Sequence, residues 1–356
     1  MADLRALITA LPDPVILING AGRIRGVNAP ACALTGADVD GWSYITALRQ
    51  PALLHAVEAT LADAHPRSAR YLGNDGARAT IWQVSVQAAA LSDGPCVVLR
   101  FHDISALEEA SEMRRHFVAN VSHELRTPLT SMMGFIETLR GPAKDDVAAR
   151  ERFLAIMDGE AGRMHRLIED LLSLSRVEDK ERIRPRTTVV LNSLIGDVLA
   201  AMAPMAAAAG VSFVQDLPDV PVAVLGDAEQ LGQVLRNLLE NAIKYGVKAG
   251  AGTVTLRLGL PEPQPMLRQR GVRLSVIDSG EGIAPHHIPR LSERFYRVDS
   301  HRSREVGGTG LGLAIVKHII TRHRGQLRIT SVQGEGAEFM VFLPVDDAPM
   351  ASSGAG

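Results

Sequence analysis

The spacing of apolar residues divides the chain into three stretches with different patterns. In the first, over residues 11–103, short apolar runs alternate with turn residues such as Asn19-Gly20-Ala21-Gly22. An Asn-Gly turn between apolar runs predicts a hairpin, and the alternation over 81–86 predicts a strand with one buried face. A further strand is predicted over the apolar run 97–101. These elements predict a small α+β domain over residues 1–104.

The second stretch has a helical period. Between residues 104 and 139 apolar residues recur mostly every three or four positions, and no glycine occurs before Gly134, which predicts one long amphipathic helix. Gly141-Pro142 ends it, and a second apolar stripe runs from Phe153 to Leu174. Residues 105–182 should therefore form a helical hairpin. Its apolar faces exceed what one helix pair can bury, so we expect a four-helix bundle formed by two chains; the alternative is a monomeric hairpin packed on another domain.

The third stretch, residues 186–346, contains both the short apolar runs of strands and the helical repeat of apolar residues. Strands are predicted over 254–260, 272–277, 326–330 and 338–343, and helices over 227–245 and 311–320. Helices collected on one face of a mixed sheet are the simplest layer arrangement, which predicts an α/β sandwich. Residues 347–356 should be a disordered tail. The chain is thus expected to be multidomain.

Composition narrows the possible partners and location. The 356 residues suit two or three domains, and 38 basic residues are offset by 40 acidic ones, for a net charge of -2. Nucleic-acid binders carry a clustered basic excess, so no direct nucleic-acid partner is predicted. No apolar stretch approaches the roughly 20 uninterrupted residues that cross a bilayer. We expect a cytoplasmic protein that meets membranes only through partners.

The first predicted helix of the third stretch carries candidate binding chemistry. Asp227 can cap it, with Gln230 as the capping-box partner. An apolar stripe occupies one face, while Asn237, Asn241 and Lys244 stand four and three residues apart on another. Two amides and an amine in line suit a hydrated Mg²⁺ that carries a polyphosphate, because Mg²⁺ prefers oxygen ligands and keeps several waters.

Three polar and glycine-rich segments follow that helix. They are Asp278-Ser279-Gly280-Glu281-Gly282-Ile283, Glu293-Arg294-Phe295-Tyr296-Arg297 and Gly307-Gly308-Thr309-Gly310-Leu311-Gly312-Leu313. Glycines before a helix let backbone N–H groups approach phosphates at the positively polarised helix N-terminus. No Lys-Ser or Lys-Thr completes a P-loop, and the spacing is not that of a dinucleotide-binding turn.

The long helix contains the run Ser122-His123-Glu124-Leu125-Arg126-Thr127-Pro128. Pro128 cannot donate to the carbonyl group of Glu124, so a bend is predicted beside His123. This run resembles the phospho-acceptor box of bacterial sensor histidine kinases, and the four later segments resemble the N, G1, F and G2 boxes of their ATP-binding domain. The first domain, which ends in a strand and Asp103-Ile104-Ser105 before a long helix, resembles a PAS sensor domain.

The resemblance implies a homodimeric, ATP- and Mg²⁺-dependent protein-histidine kinase that passes a phosphoryl group to a response regulator. It implies that His123 is the phospho-acceptor and that Glu124 orients its ring and receives its proton. Thr127 would hold the water for dephosphorylation of the regulator, unless its hydroxyl only satisfies local backbone groups. Asn241 would bind Mg²⁺ and Asp278 the adenine amino group. The implied ATP-binding residues are Asn237, Asn241, Lys244, Tyr245, Asp278, Gly280, Gly282, Arg297, Gly308, Thr309, Gly310, Leu311 and Gly312.

A narrower resemblance concerns residues 134–142 with Asp145-Asp146, which look like the phosphate-regulon sensor kinase subgroup and imply phosphate-starvation signalling. Two other functions remain open. An ATP-driven conformational machine has a similar nucleotide domain, but such proteins use an acidic residue where this chain has Asn237, and they lack the His123 box. A non-catalytic scaffold for response regulators would not need the intact glycines or Asn241.

Overall fold

The protein is described from a computed structural model, in which residues 2–76, 78–91, 94–179, 183–246, 252–298 and 308–345 are defined. The chain forms two compact units, residues 1–119 and 120–356. The boundary lies inside one helix, so the first turns of the predicted hairpin belong to the N-terminal unit. The tail predicted over 347–356 lies outside the described residues.

A five-stranded antiparallel sheet forms the N-terminal unit, with strand order β2-β1-β5-β4-β3. Its strands are β1 (Val15–Asn19), β2 (Ile24–Val27), β3 (Arg67–Asp75), β4 (Arg78–Leu91) and β5 (Gly94–Asp103). The helices of this unit before the hairpin are α1 (Ala2–Thr9), α2 (Ala29–Thr35), α3 (Tyr44–Leu48) and α4 (Pro51–Asp63). The hairpin predicted after Asn19 and the strands predicted over 81–86 and 97–101 are confirmed.

The core of the N-terminal unit lies between this sheet and α4. Ile16 and Phe101 of the sheet and Leu53 and Val57 of α4 are fully buried. The ring of Tyr71 meets that of Phe101 edge-on, with centroids 5.4 Å apart. The unit therefore has a hydrophobic core of its own, as a separate domain requires.

The long helix α5 (Ser105–Arg140) begins at a fixed point on the sheet. Asp103 Oδ1 accepts hydrogen bonds from the backbone N–H (2.8 Å) and hydroxyl group (2.6 Å) of Ser105. These bonds hold the pKa of Asp103 below its ordinary value. The Ser105 hydroxyl oxygen in turn accepts from the N–H of Ile81 in β4, at 2.8 Å. The start of the helix is thus bonded directly to the sheet.

Helix α5 and helix α6 (Val147–Asp179) form the predicted hairpin. The rings of Phe135 and Phe153 stack between them, with centroids 5.1 Å apart. Pro128 lies inside α5, as predicted; the bend beside it stays a prediction. Large apolar side chains that remain roughly half exposed in the single chain are Leu129, Met133, Leu154, Ile168 and Leu172. The hairpin therefore leaves apolar surface uncovered.

The C-terminal domain is a layer of helices on a mixed sheet, as predicted. Its strands are β7 (Val211–Asp216), β9 (Gly252–Leu258), β10 (Glu262–Gln264), β11 (Gln269–Asp278), β12 (Gln326–Val332) and β13 (Gly336–Pro344). They run in the order β12-β13-β11-β9-β7, where β7 and β9 are parallel and the other pairs antiparallel, and β10 pairs with β11. Helices α7 (Leu191–Ala208), α8 (Ala228–Tyr245) and α9 (Gly312–Arg322) pack on the sheet.

Several elements of this domain were not predicted from the sequence. They are helix α7, strands β7 and β10, and the short pair β6 (Thr187–Val190) and β8 (Ala223–Gly226). Within the described residues, α7 alone is long and apolar enough to cross a bilayer by length and composition, although residues such as Ile195 and Leu199 are buried in the domain.

The predicted capping box at the start of α8 is half wrong. Asp227 does cap the helix, since its carboxylate accepts from the N–H of Gln230 at 3.3 Å. The reciprocal bond is absent among the described residues, because the N–H of Asp227 donates to Nε2 of buried His323 at 3.0 Å. Gln230 Oε1 is buried and has no partner in that part of the chain. Burial lowers the pKa of His323, so its neutral ring serves as this acceptor.

Candidate functional site

A cavity of about 530 Å³ lies beside α8 in the C-terminal unit. One face of α8 is buried in the domain core through residues such as Leu235 and Leu238. The polar face predicted from the sequence borders the cavity instead, where it presents Asn237, Asn241 and Lys244. The amphipathic pattern of this one helix thus builds both the core and one wall of the cavity.

Most of the predicted ATP-binding residues line this cavity. They are Asn237, Asn241, Lys244, Tyr245, Asp278, Gly282, Arg297, Gly308, Thr309, Gly310 and Gly312. Gly280 and Leu311 do not. The Leu311 side chain is completely buried, so a direct contact between this side chain and a nucleotide does not fit the structure.

Asp278 presents its carboxylate at the end of β11. Its Oδ1 accepts from the backbone N–H groups of Gly280 at 2.9 Å and of Ala337 at 3.2 Å. Burial raises the pKa of this carboxyl group, and the two N–H bonds oppose that rise. With Oδ1 engaged, Oδ2 is the acceptor that can meet a donor in the cavity.

Two glycines make the surrounding turns possible. A Cβ on Gly280 would lie 2.6 Å from Cα of Gly246, so only glycine lets this turn approach the end of α8. Gly310 has φ +72°, and a Cβ there would lie 2.9 Å from Cα of Phe295. The carbonyl group of Gly310 accepts from the N–H of Phe295 at 2.8 Å. Gly280 does not line the cavity, so its contribution is to let the turn behind the cavity wall pack closely against the end of α8.

The side chains of Asn237 and Lys244 on α8 already have polar partners within the protein. Asn237 donates from Nδ2 to the carbonyl oxygen of Gly312 at 3.2 Å, which joins α8 to the glycine-rich turn. Lys244 forms a 3.0 Å salt bridge with Glu240 one turn earlier, and both residues line the cavity. A bound anion would therefore share Lys244 with Glu240.

Arg297 connects the cavity with the helix that carries His123. Its side chain is only 9% exposed and lines the cavity, yet its Nη2 donates to Oε2 of Glu124 at 3.0 Å. Its Nε is buried without a partner among the described residues. Glu124 Oε2 also accepts from Nη2 of Arg163 on α6, at 3.0 Å. The structure thus gives Arg297 a carboxylate partner that the sequence did not predict.

His123 and Thr127 lie on the exposed side of α5, outside the residues that line the cavity. The Thr127 hydroxyl group donates to the carbonyl oxygen of His123 at 3.2 Å. This is the local backbone contact that the sequence analysis left open as an alternative. The structure therefore brings Glu124, the neighbour of His123, into direct contact with a cavity residue.

Several cavity residues were missed. Arg166, Glu169 and Asp170 come from α6, which the sequence analysis assigned only to the helical hairpin. Thr309 donates to Asp170 Oδ2 at 2.7 Å. Tyr296, part of a predicted box without a role of its own, bonds to Nδ1 of His287 at 2.6 Å. The α6 residues gave no local signal, because polar residues on one face of a hairpin helix usually meet water.

The cavity presents both acidic and cationic side chains, and its cations can meet a nucleotide polyphosphate. Lys244 and Arg297 are cations on its wall, and the buried Nε of Arg297 is a donor that a phosphate oxygen could satisfy. Within the described ranges no group of three or more His, Cys, Asp or Glu side chains could hold a metal ion. The carboxamide oxygens of Asn237 and Asn241 are the kind of ligand that Mg²⁺ accepts alongside water and phosphate.

Three family models match the chain in sequence order. They are the PAS fold over residues 2–104, the His Kinase A (phospho-acceptor) domain over 113–180, and the histidine kinase-, DNA gyrase B- and HSP90-like ATPase over 226–347. The last match implies that the cavity domain uses ATP. The chain belongs to the sensor histidine kinase family.

Among its relatives is the phosphate regulon sensor protein PhoR of Pseudomonas aeruginosa, 41% identical over 238 residues, which are 67% of this chain and 51% of PhoR. The chain thus spans about half the length of that relative. Sensor protein kinase WalK of Staphylococcus aureus is 32% identical over 351 residues, 96% of this chain and 81% of that sequence.

Among solved structures, histidine kinase ThkA in complex with response regulator protein TrrA matches with a TM-score of 0.51 and 22% identity. The match covers 96% of this chain and 98% of that one. At this identity the likeness shows a shared fold.

Proposed function

We propose that this chain is a dimeric sensor histidine kinase that phosphorylates His123 with Mg-ATP and transfers the phosphoryl group to an aspartate of a response regulator. The observation that carries the proposal is the contact between Arg297 on the nucleotide cavity and Glu124 beside His123. The proposal takes residues 1–104 as the sensor domain, 105–182 as the phospho-acceptor hairpin and 186–346 as the ATP-binding domain.

In the proposed autophosphorylation, one neutral ring nitrogen of His123 attacks the γ-phosphorus of ATP. The new P–N bond forms as the bond to the β,γ-bridging oxygen breaks, and ADP leaves with that electron pair. The proton on the other ring nitrogen passes to Glu124. Phosphoryl transfer needs mostly positioning and charge neutralisation, so Lys244 and Arg297 would contact phosphate oxygens while Asp278 accepts from the adenine amino group.

Mg²⁺ would be held through Asn241, with help from Asn237, and when bound it neutralises phosphate charge. Thr309 and the glycines at 308, 310 and 312 would close over the phosphates. Since the cavity is lined by both α8 and α6, residues of the hairpin and of the ATP-binding domain would meet the same nucleotide.

The partners follow from the hairpin and the relatives. Its exposed apolar side chains support a four-helix bundle with a second copy, which makes the protein a homodimer. A response regulator is the expected phosphoryl acceptor, and the same kinase would remove phosphate from it with a water held by Thr127. The 41% identity to PhoR supports a role in phosphate-starvation signalling. The location that we propose, as expected from the sequence, is the cytoplasm.

Incubation with γ-labelled ATP tests the proposal. The full chain should acquire label that is labile in acid and stable in base, as expected for phosphohistidine. His123→Gln should remove the label and leave ATP binding intact, because His123 lies outside the cavity. Label on His123→Gln would contradict the proposal. Released phosphate without protein label would indicate an ATP-driven machine, and neither product would indicate a scaffold.

A further inference from the structure

Two arginines hold the same carboxylate oxygen beside the phospho-acceptor. Nη2 of Arg163 and Nη2 of Arg297 each donate to Oε2 of Glu124 at 3.0 Å. The side chains of Arg163 and Glu124 are only 14% and 20% exposed. The resemblance to histidine kinases assigned no role to Arg163.

These two arginines differ in what else they can contact. Arg297 lines the nucleotide cavity, and its buried Nε has no partner in the described part of the chain. Under the proposed function, a phosphate of the nucleotide therefore competes with Glu124 for the Arg297 side chain. Arg163 does not line that cavity. It belongs to α6 of the same hairpin as Glu124, so the two residues stay together whichever partner Arg297 has.

Apolar side chains lie beside the pair. Pro128, Met164 and Leu167, together with Thr309, border a small pocket with Glu124 and Arg163. A carboxylate in such a place loses much of its hydration, and a partly buried charge that loses its partner is strongly disfavoured. Without a cation beside it, the Glu124 side chain would turn toward water and away from its present position.

We propose that Arg163 is a positioning residue for phosphorylation of His123. It fixes Glu124 through Oε2, so that the remaining oxygen, Oε1, is directed to the proton that leaves the imidazole ring. A charge-assisted hydrogen bond from a planar guanidinium group fixes both the direction and the distance of the carboxylate that it binds. A carboxylate that is solvated on a helix surface has no such fixed orientation. The inference rests on the proposed function, since it concerns the same reaction.

The test is steady-state self-labelling of the full chain with γ-labelled ATP. Arg163→Ala should lower kcat about tenfold or more, the effect of one charge-assisted hydrogen bond, with KM for ATP unchanged. Arg163→Lys should recover part of the rate, because it keeps the charge but lacks the planar fork. The matched control is Arg150→Ala, which removes an exposed arginine from the same helix and should leave both constants unchanged.

A double-mutant cycle shows whether Arg163 acts through Glu124. In a Glu124→Gln background the carboxylate is already gone, so Arg163→Ala should lower the residual rate by no more than about twofold. An equal loss in both backgrounds would overturn the proposal, and so would a normal kcat for Arg163→Ala. Thermal unfolding checks that the variants fold; if Arg163→Ala does not, Arg163→Lys carries the same cycle.

The two proposals fail in distinguishable ways. A wild-type chain that labels on His123, together with an Arg163→Ala variant that labels equally fast, rejects only the positioning role. A wild-type chain that acquires no label on His123 rejects the proposed function and this inference with it.

Discussion

Thr309 of the glycine-rich turn donates a 2.7 Å hydrogen bond to Asp170 of helix α6. Asp170 lies on the cavity wall, where burial raises the pKa of its carboxyl group; the Thr309 bond opposes the rise and the charge of Glu240 adds to it. Burial therefore disfavours the ionised carboxylate in the folded chain, although the Thr309 hydrogen bond itself favours that form.

This relationship gives a prediction about stability and pH. Asp170→Asn should raise the unfolding midpoint at pH 7.5 by roughly 2–4 °C, because the amide keeps an acceptor oxygen but has no charge to desolvate. Since the folded-state pKa is raised, the wild-type contribution of Asp170 is complete below the ordinary carboxyl pKa and is lost as pH rises through the folded-state value. The advantage of the variant should therefore shrink on acidification.

Scanning calorimetry across pH measures this effect. Asp158→Asn, at an exposed position of the same helix, is the matched control and should leave the midpoint unchanged at every pH. A lower midpoint for Asp170→Asn at pH 7.5 would mean that the ionised carboxylate stabilises the fold.

Asn241→Asp should weaken Mg-ATP binding at least tenfold and lower self-labelling with it, while the fold is retained. Asn241 is on the polar face of α8, so a new negative charge there acts on the phosphates more than on packing. Titration calorimetry gives the affinity, and Asn74→Asp, at an exposed position of the N-terminal unit, is the control. Unchanged affinity together with a normal labelling rate would remove the metal role of Asn241.

The exposed apolar side chains of the hairpin predict that the full chain is a dimer by light scattering. Met133→Glu and Leu172→Glu should each shift it toward monomer, because both side chains are more than half exposed in the single chain. Leu72→Glu, an exposed leucine of the N-terminal sheet, is the control. A wild-type chain that stays monomeric at high concentration would favour the alternative of a monomeric hairpin packed on another domain.

Thr127→Ala should separate two activities. In the structure the Thr127 hydroxyl group donates to the His123 carbonyl oxygen, and its oxygen can still accept from a water. We expect dephosphorylation of the phosphorylated regulator to fall about tenfold or more, while self-labelling changes less than about twofold. Thr130→Ala, at an exposed position of the same helix, controls for local helix effects. Equal loss of both activities would assign Thr127 a structural role.

The sequence predicted the periodic parts of the fold well. Both hairpin helices, α8, α9 and the four predicted strands of the C-terminal domain occur close to their expected bounds, since their apolar residues repeat with a clear period. Helix α7 was missed because its alanine-rich sequence shows a weak stripe, Pro204 lies inside it and Val190 gives no capping side chain. Strands β6, β8 and β10 have only three or four residues each, too few to show a period, and the six-residue strand β7 was missed as well.

Site residues could be predicted where a single segment of the sequence has a recognisable pattern. The polar face of α8 and the glycine-rich turns are such segments. The contact of Arg163 with Glu124 could not be predicted, because it arises only when α6 packs on α5. Asp170 could not be predicted either, because its contact with Thr309 arises only when α6 packs on the ATP-binding domain. The wrong prediction that Gln230 bonds back to the N–H of Asp227 has a similar origin. That N–H donates instead to His323, almost a hundred residues later in the sequence.

The carboxylate of Asp278 has a consequence for the choice of nucleobase. Two backbone N–H groups hold Oδ1 in place, so the side chain presents Oδ2 to the cavity as a fixed acceptor. Adenine offers an amino group at the position where guanine has a carbonyl oxygen, and a guanine base would set two acceptors against each other. Under the proposed binding of adenine by Asp278, the kinase would draw its phosphoryl groups from the adenine pool in a cell that contains both purine triphosphates, and changes in GTP concentration would leave its signal unaltered.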